Sequence, residues 1–310
     1  NIAENLSNES SLLILKNNKS FNTTMTQLLG YKNQLSTKDY NLNAIQLIYE
    51  DSFAHINGVL SSQNGKKSNK NIEELFTVSF ENDIINGPEF VSNNLNKDKD
   101  IVVQDVSNNL YLISNTGTIY WNKKLEHPII GEISQIDTYK NGRLQLVFAT
   151  KNKLYMLDRN GNDVAGFPLN FKDDITQPLS VFDYDNNKNY RLLLTQGKTL
   201  LMLDKTGKKV TGFKPDLINT KITKQPQHFR IGNKDYIVFA QDKTMKILDR
   251  TGATRIAVKE LVNFSENNIY LNNNKFTTIT ADGLIFTVDS KGVNSTSGKI
   301  TSQKIQLDAG

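Results

Sequence analysis

Short apolar segments recur along residues 84–305 and are separated by polar tracts rich in Gly, Asn and Asp. Val, Ile, Leu, Tyr, Phe and Thr fill these segments, a composition typical of β-strands. Helical repeats of a similar period would place apolar residues 3.6 positions apart, whereas Gly or Asn interrupts these segments too often for such a face. The pattern therefore predicts short strands joined by tight turns and excludes helical repeats.

One strand-and-turn segment occurs five times. Its first copy is Leu110–Gly117, and a glycine ends every copy. Successive turn glycines lie 44, 46, 45 and 40 residues apart, which fits the period of a β-propeller blade. Glycine suits this position because the turn requires a positive φ, which glycine adopts at no steric cost. The five predicted structural turn residues are Gly117, Gly161, Gly207, Gly252 and Gly292.

Each repeat contains four predicted strands. The second strand is a nearly continuous apolar run such as Leu146–Phe148, as expected when neighbouring blades cover both of its faces. The third strand leads into the turn glycine, and a fourth, such as Thr118–Trp121, follows it. Four short antiparallel strands per unit define a propeller blade. We therefore predict a mainly β fold, a β-propeller with five four-stranded blades at about 84–127, 128–174, 175–221, 222–263 and 264–305.

The two ends of the chain depart from the repeat. Residues 1–65 predict a small α+β segment, the tail of a larger domain, and residues 66–83 predict a linker and an outer or closing strand. In the first segment we expect strands at 11–15, 44–49 and 53–60 and a helix at 21–35. Because Ile300–Gly310 offer only one weak strand, we favour an incomplete ring with further blades beyond Gly310. A ring of five closed blades is the alternative.

The composition argues against several classes of function. The net charge of +5 comes from 37 basic and 32 acidic residues, and the lysines are dispersed, unlike the basic stripe of a nucleic-acid-binding face. The chain has no cysteine, so it has neither disulfides nor a thiolate nucleophile. No apolar run approaches the roughly 18 residues that a membrane span requires. We expect any export signal or lipid anchor to lie outside this sequence, and any membrane association to depend on that anchor.

The segment Leu110–Trp121 resembles the PQQ-like repeat of quinoprotein dehydrogenases and of the outer-membrane assembly lipoprotein BamB. In the quinoproteins a repeated Trp docks each blade on its neighbour. Here Trp121 is the single Trp, and the positions expected to correspond to it hold Ala165, Thr211, Ile256 and Thr296. The quinoprotein cofactor site also uses a vicinal disulfide, which a chain without cysteine cannot form. The resemblance therefore implies a propeller without an organic cofactor.

The stretch Pro178–Arg191 is similar to large Bacteroidetes-type proteins that join an α+β part to a PQQ-like propeller. This resemblance implies an extracytoplasmic location, either periplasmic or associated with the outer membrane. Together with the BamB-like repeat, it implies a protein partner.

Two polar loops suggest calcium. Each has oxygen-bearing side chains at i, i+2 and i+4, but Ca²⁺ requires six to eight oxygens, including a carboxylate late in the loop. Tyr190 and Arg191 stand where the first loop should supply that carboxylate. We therefore favour the alternative, that these residues cap tight turns. The candidate calcium ligands are Asp183, Asp185 and Asn187 in one loop and Asn94, Asn96 and Asp98 in the other.

No catalytic constellation is evident in the sequence. His55, His127 and His228 lack the spacing of a metal site, and Asp158 and its equivalents end hairpin strands in register, so turn geometry explains their recurrence. We predict that the chain is not an enzyme but an interaction scaffold of the cell envelope that presents rim loops to a protein partner. The alternative is a calcium-assisted propeller that binds ligands or glycans. A third reading, an enzyme built from residues of several blades at the central channel, depends on distances that the sequence does not give.

Overall fold

The computed structural model describes residues 12–17, 42–50, 53–61, 75–93, 95–96 and 98–299. The chain divides into two compact units, residues 1–74 and residues 75–310. In the described part of the chain, no helix has the length and apolar character needed to cross a bilayer.

The first unit contains an antiparallel sheet with strand order β1-β2-β3. Its strands are β1 (Leu12–Asn17), β2 (Leu42–Glu50) and β3 (Phe53–Ser61). Ala44 and Gln46 on the middle strand are buried. The helix predicted at 21–35 lies outside the described residues, as does the polar part of the predicted linker.

Within the described residues of the second unit, every strand belongs to one of five antiparallel sheets, and each sheet takes its strands in chain order. Blade 1 holds β4 (Ile84–Ser92), β5 (Lys99–Asp105), β6 (Asn109–Ile113) and β7 (Ile119–Lys124). Blade 2 holds β8 (Ser134–Ile136), β9 (Gln145–Ala149), β10 (Lys153–Leu157) and β11 (Leu169–Asn170). Blade 3 holds β12 (Ser180–Phe182), β13 (Arg191–Gln196) and β14 (Thr199–Asp204).

Blade 4 holds β15 (Gln227–Ile231), β16 (Lys234–Gln241), β17 (Thr244–Leu248) and β18 (Thr254–Ile256). Blade 5 holds β19 (Tyr270–Asn272), β20 (Lys275–Ile279), β21 (Leu284–Asp289) and β22 (Asn294–Lys299). In blade 3 a single bridge between Leu203 and Lys209 stands in place of a fourth strand. Repeated short antiparallel sheets, each built from one sequence repeat, make this unit a β-propeller. The predicted fold class is confirmed.

The hydrophobic core lies between the blades. The second strand of each blade is buried along nearly its whole length, as the apolar runs predict, and all five residues of β9 are buried. Each hydrophobic cluster combines side chains of two successive blades; for example, Leu154 of blade 2 packs in one cluster with Leu192 of blade 3. Burial of this kind stabilises a blade only when its neighbours are present.

The hairpin after the third strand repeats one hydrogen-bond pattern. In blade 3, Asp204 Oδ1 accepts hydrogen bonds from the backbone N–H groups of Thr206 (2.8 Å) and Lys208 (3.1 Å). The N–H of Gly207 donates to the Asp204 carbonyl at 3.0 Å, and Gly207 has a φ of +83°. Asp158, Asp249 and Asp289 make equivalent bonds, and in blade 1 the hydroxyl of Ser114 replaces the carboxylate. These residues therefore shape the turns.

The turn glycines also bring successive blades into contact. A Cβ on Gly161 would lie 2.8 Å from the ring of Trp121, which belongs to the preceding blade. The indole Nε1 of Trp121 donates to the Arg159 carbonyl at 2.8 Å, so the ring is held over the same turn. Apolar side chains lie in the same way against three other turn glycines, Phe76 at Gly117, Leu169 at Gly207 and Ile256 at Gly292, whereas the backbone of Lys214 and Pro215 lies against Gly252.

Two of the predicted counterparts of Trp121 were wrong, because a different residue lies against the turn glycine of the next blade. In blade 2 the chain turns after Val164, whose carbonyl accepts from the N–H of Phe167 at 2.9 Å. Because of this turn, Ala165 does not reach the turn glycine of the next blade, and Leu169 contacts Gly207 instead. In blade 3 an equivalent turn displaces Thr211 in favour of Pro215, whereas Ile256 packs as expected. Thr296 lies exposed on β22.

Residues 75–80 were predicted to form an outer strand, but in the described structure they are not a strand. They nevertheless supply Phe76, which packs on Gly117 as Trp121 packs on Gly161. Phe80 stacks edge-on against Tyr111 of blade 1, with 5.1 Å between ring centroids. The segment thus covers the face of blade 1 that a preceding blade would cover.

We predict that Gly161→Ala destabilises the protein more than Gly142→Ala. Both glycines have a φ of +80°, so both variants carry the same backbone strain. A Cβ at position 161 meets the Trp121 ring, whereas nothing lies within 4 Å of a Cβ at position 142. Overpacking costs about 1–3 kcal/mol, which is the expected difference in the free energy of unfolding in urea. Equal losses would show that the glycine–tryptophan contact is not tight.

Candidate functional site

One face of the propeller carries two loops of each blade, the loop after its first strand and the hairpin after its third strand. Antiparallel pairing places the loop after the first strand of a blade at the same end as the hairpin after its third strand. We call this end the turn face. It comprises the described residues 93, 95–96 and 98 of the first loop of blade 1, the first loops at 137–143, 183–189, 232–233 and 273–274, and the hairpins at 114–118, 158–162, 204–208, 249–253 and 289–293.

The first candidate calcium loop is closed by its own hydrogen bonds. Asp183 accepts from the backbone N–H groups of Asn187 (3.1 Å) and Lys188 (2.9 Å), and Asn187 Oδ1 accepts from the N–H of Asn189 at 3.0 Å. Asp185 instead receives two hydrogen bonds from Arg250 of the next blade, at 2.7 and 3.2 Å. This guanidinium lowers the pKa of Asp185. The three side chains therefore have separate partners.

The second candidate calcium loop is similar. Asn96 Oδ1 accepts from the N–H of Asp98 at 3.1 Å, and Asp98 Oδ2 accepts from Asn115 Nδ2 at 3.1 Å. Asn94 lies outside the described residues. Among the residues that the structure describes, no three His, Asp or Glu side chains are grouped so that they could hold a metal ion. Calcium binding stays a prediction.

Cations on the turn face connect blades 3 and 4 to the blades that precede them. The residue after the turn aspartate performs this role in two blades: Lys205 Nζ donates to the Thr138 carbonyl at 2.6 Å, and Arg250 binds Asp185. Lys188 also reaches back, to the buried carboxylate of Asp137 at 2.5 Å. Burial alone would raise the pKa of Asp137, but the hydrogen bonds from Lys188 and the loop amides outweigh it and lower the pKa.

A buried ionic cluster lies between blades 3 and 4. Asp235, with only 4% of its side chain exposed, lies 2.8 Å from His228 Nε2 and accepts from Arg250 Nε at 2.6 Å. Arg230 is 3.6 Å from the same carboxylate and donates to the Tyr184 carbonyl at 2.6 Å. The guanidinium of Arg250 lies 4.7 Å from the Tyr184 ring centroid. The cluster fixes the orientation of the His228 ring.

Tyr184 completes this cluster without using its hydroxyl. Burial raises its pKa well above the usual range, and its hydroxyl has no hydrogen-bond partner within the described part of the chain. Its ring packs edge-on against His228, with 4.9 Å between centroids. Tyr184 therefore acts here as an apolar surface.

The sequence analysis missed this cluster, and only part of it could have been found. The hairpin β15–β16 pairs Arg230 directly with Asp235, and residues two apart on a strand share a face, which places His228 beside them. The turn at Gly232-Asn233 is the sequence signal for that pairing. Arg250 comes from the next hairpin, and Tyr184 and Asp185 from another blade, so they depend on the packing of blades.

One cavity lies along the first strands of the blades, and a second lies among the segments that precede these strands. The first, of about 750 Å³, is lined by first strands of blades 2 to 5, including Ser180, His228 and Tyr270. The second, a polar cavity of about 410 Å³ near the opposite end from the turn face, is lined by Lys224 and Asn263 among others. The Lys224 ammonium donates to the carbonyls of Ser265 (2.6 Å) and Asn267 in blade 5. Burial lowers the pKa of Lys224 to about 8.

The largest of these openings is a groove of about 910 Å³ on the turn face between blades 1 and 2. Two apolar side chains line it in exposed positions, Leu95 (77% exposed) and Tyr139 (57% exposed). Arg143 and Arg159 add positive charge to its wall. We call this surface the Leu95–Tyr139 groove. Among the candidate calcium ligands that the structure describes, none lines this groove.

Comparisons with known proteins agree with the fold and go no further. No family model and no curated protein matches the chain. Among solved structures, the computationally designed Ika8 protein superposes with a TM-score of 0.52 at 16% identity, covering 73% of this chain and 65% of that one. The chain thus spans about two thirds of the designed protein. At this identity the likeness concerns the fold alone.

Two further solved structures are more distant. BBS1N in complex with ARL6DN gives a TM-score of 0.49 at 13% identity, over 69% of this chain and 66% of that chain. BamB from Moraxella catarrhalis gives 0.47 at 15% identity, over 69% and 60%. With TM-scores below 0.5, these matches carry no argument about this chain.

We predict that Asp235→Asn costs far more stability than Asp163→Asn. Asp235 is the buried acceptor for His228 and for Arg250, which is 36% exposed, and a hydrogen bond to a charged group contributes about 1.5–3 kcal/mol. Asp163 pairs with Lys123 at 3.0 Å but is 37% exposed, and surface pairs contribute about 0–1 kcal/mol. Urea unfolding at pH 7 gives both values. Losses of equal size would mean that the buried carboxylate does not stabilise the packing of His228 and Arg250.

We predict that the stability of the wild type rises relative to Lys224→Met between pH 8 and 10.5. In this window the unfolded chain, with a lysine pKa of 10.5, binds the proton that folded Lys224, with a pKa of about 8, has released. Raising the pH stabilises the state that binds fewer protons, which here is the folded state. The free-energy cost of burying the ammonium is therefore present in full below pH 8 and absent above pH 10.5. Lys243→Met, at an exposed lysine of the same cavity, is the control. A stability difference that does not change with pH would contradict this.

Proposed function

We propose that this chain is a non-catalytic interaction scaffold of the cell envelope and that the Leu95–Tyr139 groove is where a protein partner docks. The observation that carries the proposal is the pair of exposed apolar side chains beside two arginines on a face whose carboxylates are otherwise engaged. Tyr and Arg are the residue types that most often dominate the binding energy of protein interfaces.

The charge of the groove indicates the kind of partner. Asp158 and Asp163 also line it, but Asp158 caps its own turn, where it accepts from Asn160 N at 2.8 Å. Asp163 is paired with Lys123. Asp158 keeps its negative charge, because its partners are neutral amides. The two arginines Arg143 and Arg159 outweigh this one uncompensated carboxylate, so the groove carries a net positive charge. We infer that the partner presents an acidic segment with an apolar side chain between Leu95 and Tyr139.

The arrangement of polar groups supports a scaffold in preference to an enzyme. The turn aspartates bind turn amides, Asp137 and Asp185 bind cations of neighbouring blades, and Asp235 is enclosed by His228 and Arg250. The pairs of Asp137 and Asp185 hold neighbouring blades together, and the other groups stabilise their own blade. The envelope location rests on the resemblance of the repeat to PQQ-like propellers and is part of the proposal.

We predict that a photo-crosslinking amino acid in place of Tyr139 captures one discrete partner in intact cells. The same amino acid in place of Leu261, which is 70% exposed and lies away from the turn face, is the matched control and is expected to give no band of that size. Leu95→Asp should abolish the crosslink at position 139, because a carboxylate repels an acidic partner and removes apolar contact area.

Arg143→Gln, which keeps the length of the side chain, should weaken the crosslink and make it less sensitive to salt. Bands of equal intensity from positions 139 and 261, or a band from position 139 that persists in Leu95→Asp, would place the docking surface elsewhere. Thermal melting of each variant shows that the propeller is intact.

A further inference from the structure

Lys224 can lose a proton and still keep both of its hydrogen bonds to carbonyls. A charged ammonium has three N–H donors, and the structure provides hydrogen-bond acceptors for two, the carbonyls of Ser265 and Asn267. The Phe264 ring, 6.0 Å from Nζ at its centroid, is only a weak partner for the third. A neutral amine has two N–H donors and one lone pair, so the two carbonyls satisfy it fully and leave the lone pair free.

Burial of Lys224 also favours the neutral form of its amine. Lys224 is 6% exposed, and removal from water disfavours the charged form, which agrees with its pKa of about 8. Glu266 is the nearest acid to act on it and opposes the shift, but burial outweighs that attraction. About one tenth of this amine is therefore unprotonated at pH 7.

The cavity beside Lys224 is suited to a small polar molecule. Its volume is about 410 Å³, and amide and hydroxyl groups predominate in its wall. Gln177, Thr223, Asn263 and Asn268 provide donors and acceptors there. Small-molecule sites have this form, a concave space in which a few polar groups set the orientation.

We propose that this cavity captures small polar aldehydes and that Lys224 binds them covalently as an imine. The Nζ lone pair attacks the carbonyl carbon, forming a C–N bond and a carbinolamine. The carbinolamine then loses its oxygen as water, with two hydrogens that originate from the amine, and the C=N bond forms. The imine takes up one proton, and its single N–H stays with one of the two carbonyls. No oxidant or reductant is required.

The expected rate advantage follows from the protonation state. At pH 7 an amine with a pKa near 8 is about 300 times more often neutral than one with a pKa of 10.5. A less basic amine is also a weaker nucleophile. With a Brønsted coefficient of about 0.4–0.5, as measured for thiols, the lower pKa reduces the intrinsic reactivity about 13-fold and so offsets part of the gain. The net advantage of Lys224 over an ordinary lysine is therefore roughly 20-fold.

The test is reductive trapping of imines on the intact wild-type chain. Glycolaldehyde and cyanoborohydride are added at pH 7, and labelling of each lysine is followed with time by peptide mass spectrometry. Lys221 and Lys243, nearby lysines that the structure places in exposed positions, are internal controls. We expect Lys224 to be labelled roughly 20-fold faster than either, with a labelling midpoint near pH 8. In 8 M urea the advantage should disappear, because it depends on the fold.

Two results would overturn the proposal. Labelling of Lys224 at or below the rate of Lys221 and Lys243 in the folded protein would show that its amine is inaccessible or charged. An advantage that survives in urea would assign it to the local sequence and not to the cavity. Propanal, which lacks the hydroxyl group, should label Lys224 more slowly than glycolaldehyde if the polar wall contributes. Neither result bears on the Leu95–Tyr139 groove, which lies at the other end of the propeller.

Discussion

The architecture depends on one kind of close contact, in which the bare Cα of a turn glycine lies against an apolar side chain or, at Gly252, against the backbone of the preceding segment. A single blade is a small twisted sheet whose faces are too apolar to be stable in water. The contact at Gly161 brings Trp121 close enough for the sheets of blades 1 and 2 to share a core, and similar contacts recur from Phe76 to Ile256. Each glycine ends a hairpin with a fixed hydrogen-bond pattern. The turn after the third strand of a blade therefore also determines where that blade packs on the segment before it.

The chemistry of the surface follows from this stacking. The turn face must join neighbouring loops as well as neighbouring cores, and it uses its charges for this purpose, as with Lys188 and Asp137 or Arg250 and Asp185. Oxygens that resemble calcium ligands in the sequence thereby find protein partners. Where such pairing leaves apolar side chains and arginines exposed, at the Leu95–Tyr139 groove, we propose that a partner docks. At the opposite end the stacking buries Lys224 against the carbonyls of the next blade.

The sequence predicted features that are local to one repeat. Strand composition, the spacing of turn glycines and the continuous apolar runs depend on neighbouring residues and on a two-fold strand period, so the blade plan could be inferred from them. The counterparts of Trp121 in blades 2 and 3 could not, because the short turns at Val164 and Val210 shift the register of the outer segment. The cluster of Asp235, His228 and Arg250 depends on how hairpins and blades meet, which no single repeat specifies.

The most direct test of the central contact is a double-mutant cycle of Trp121→Ala and Gly161→Ala, with the free energy of unfolding measured in urea. Residues in contact show coupling energies of about 0.5–3 kcal/mol. If the tryptophan ring lies on the bare Cα, Gly161→Ala should cost less once the ring is gone, because only the strain of a positive φ remains. Effects of the two substitutions that simply add would contradict the proposed docking of one blade on the next.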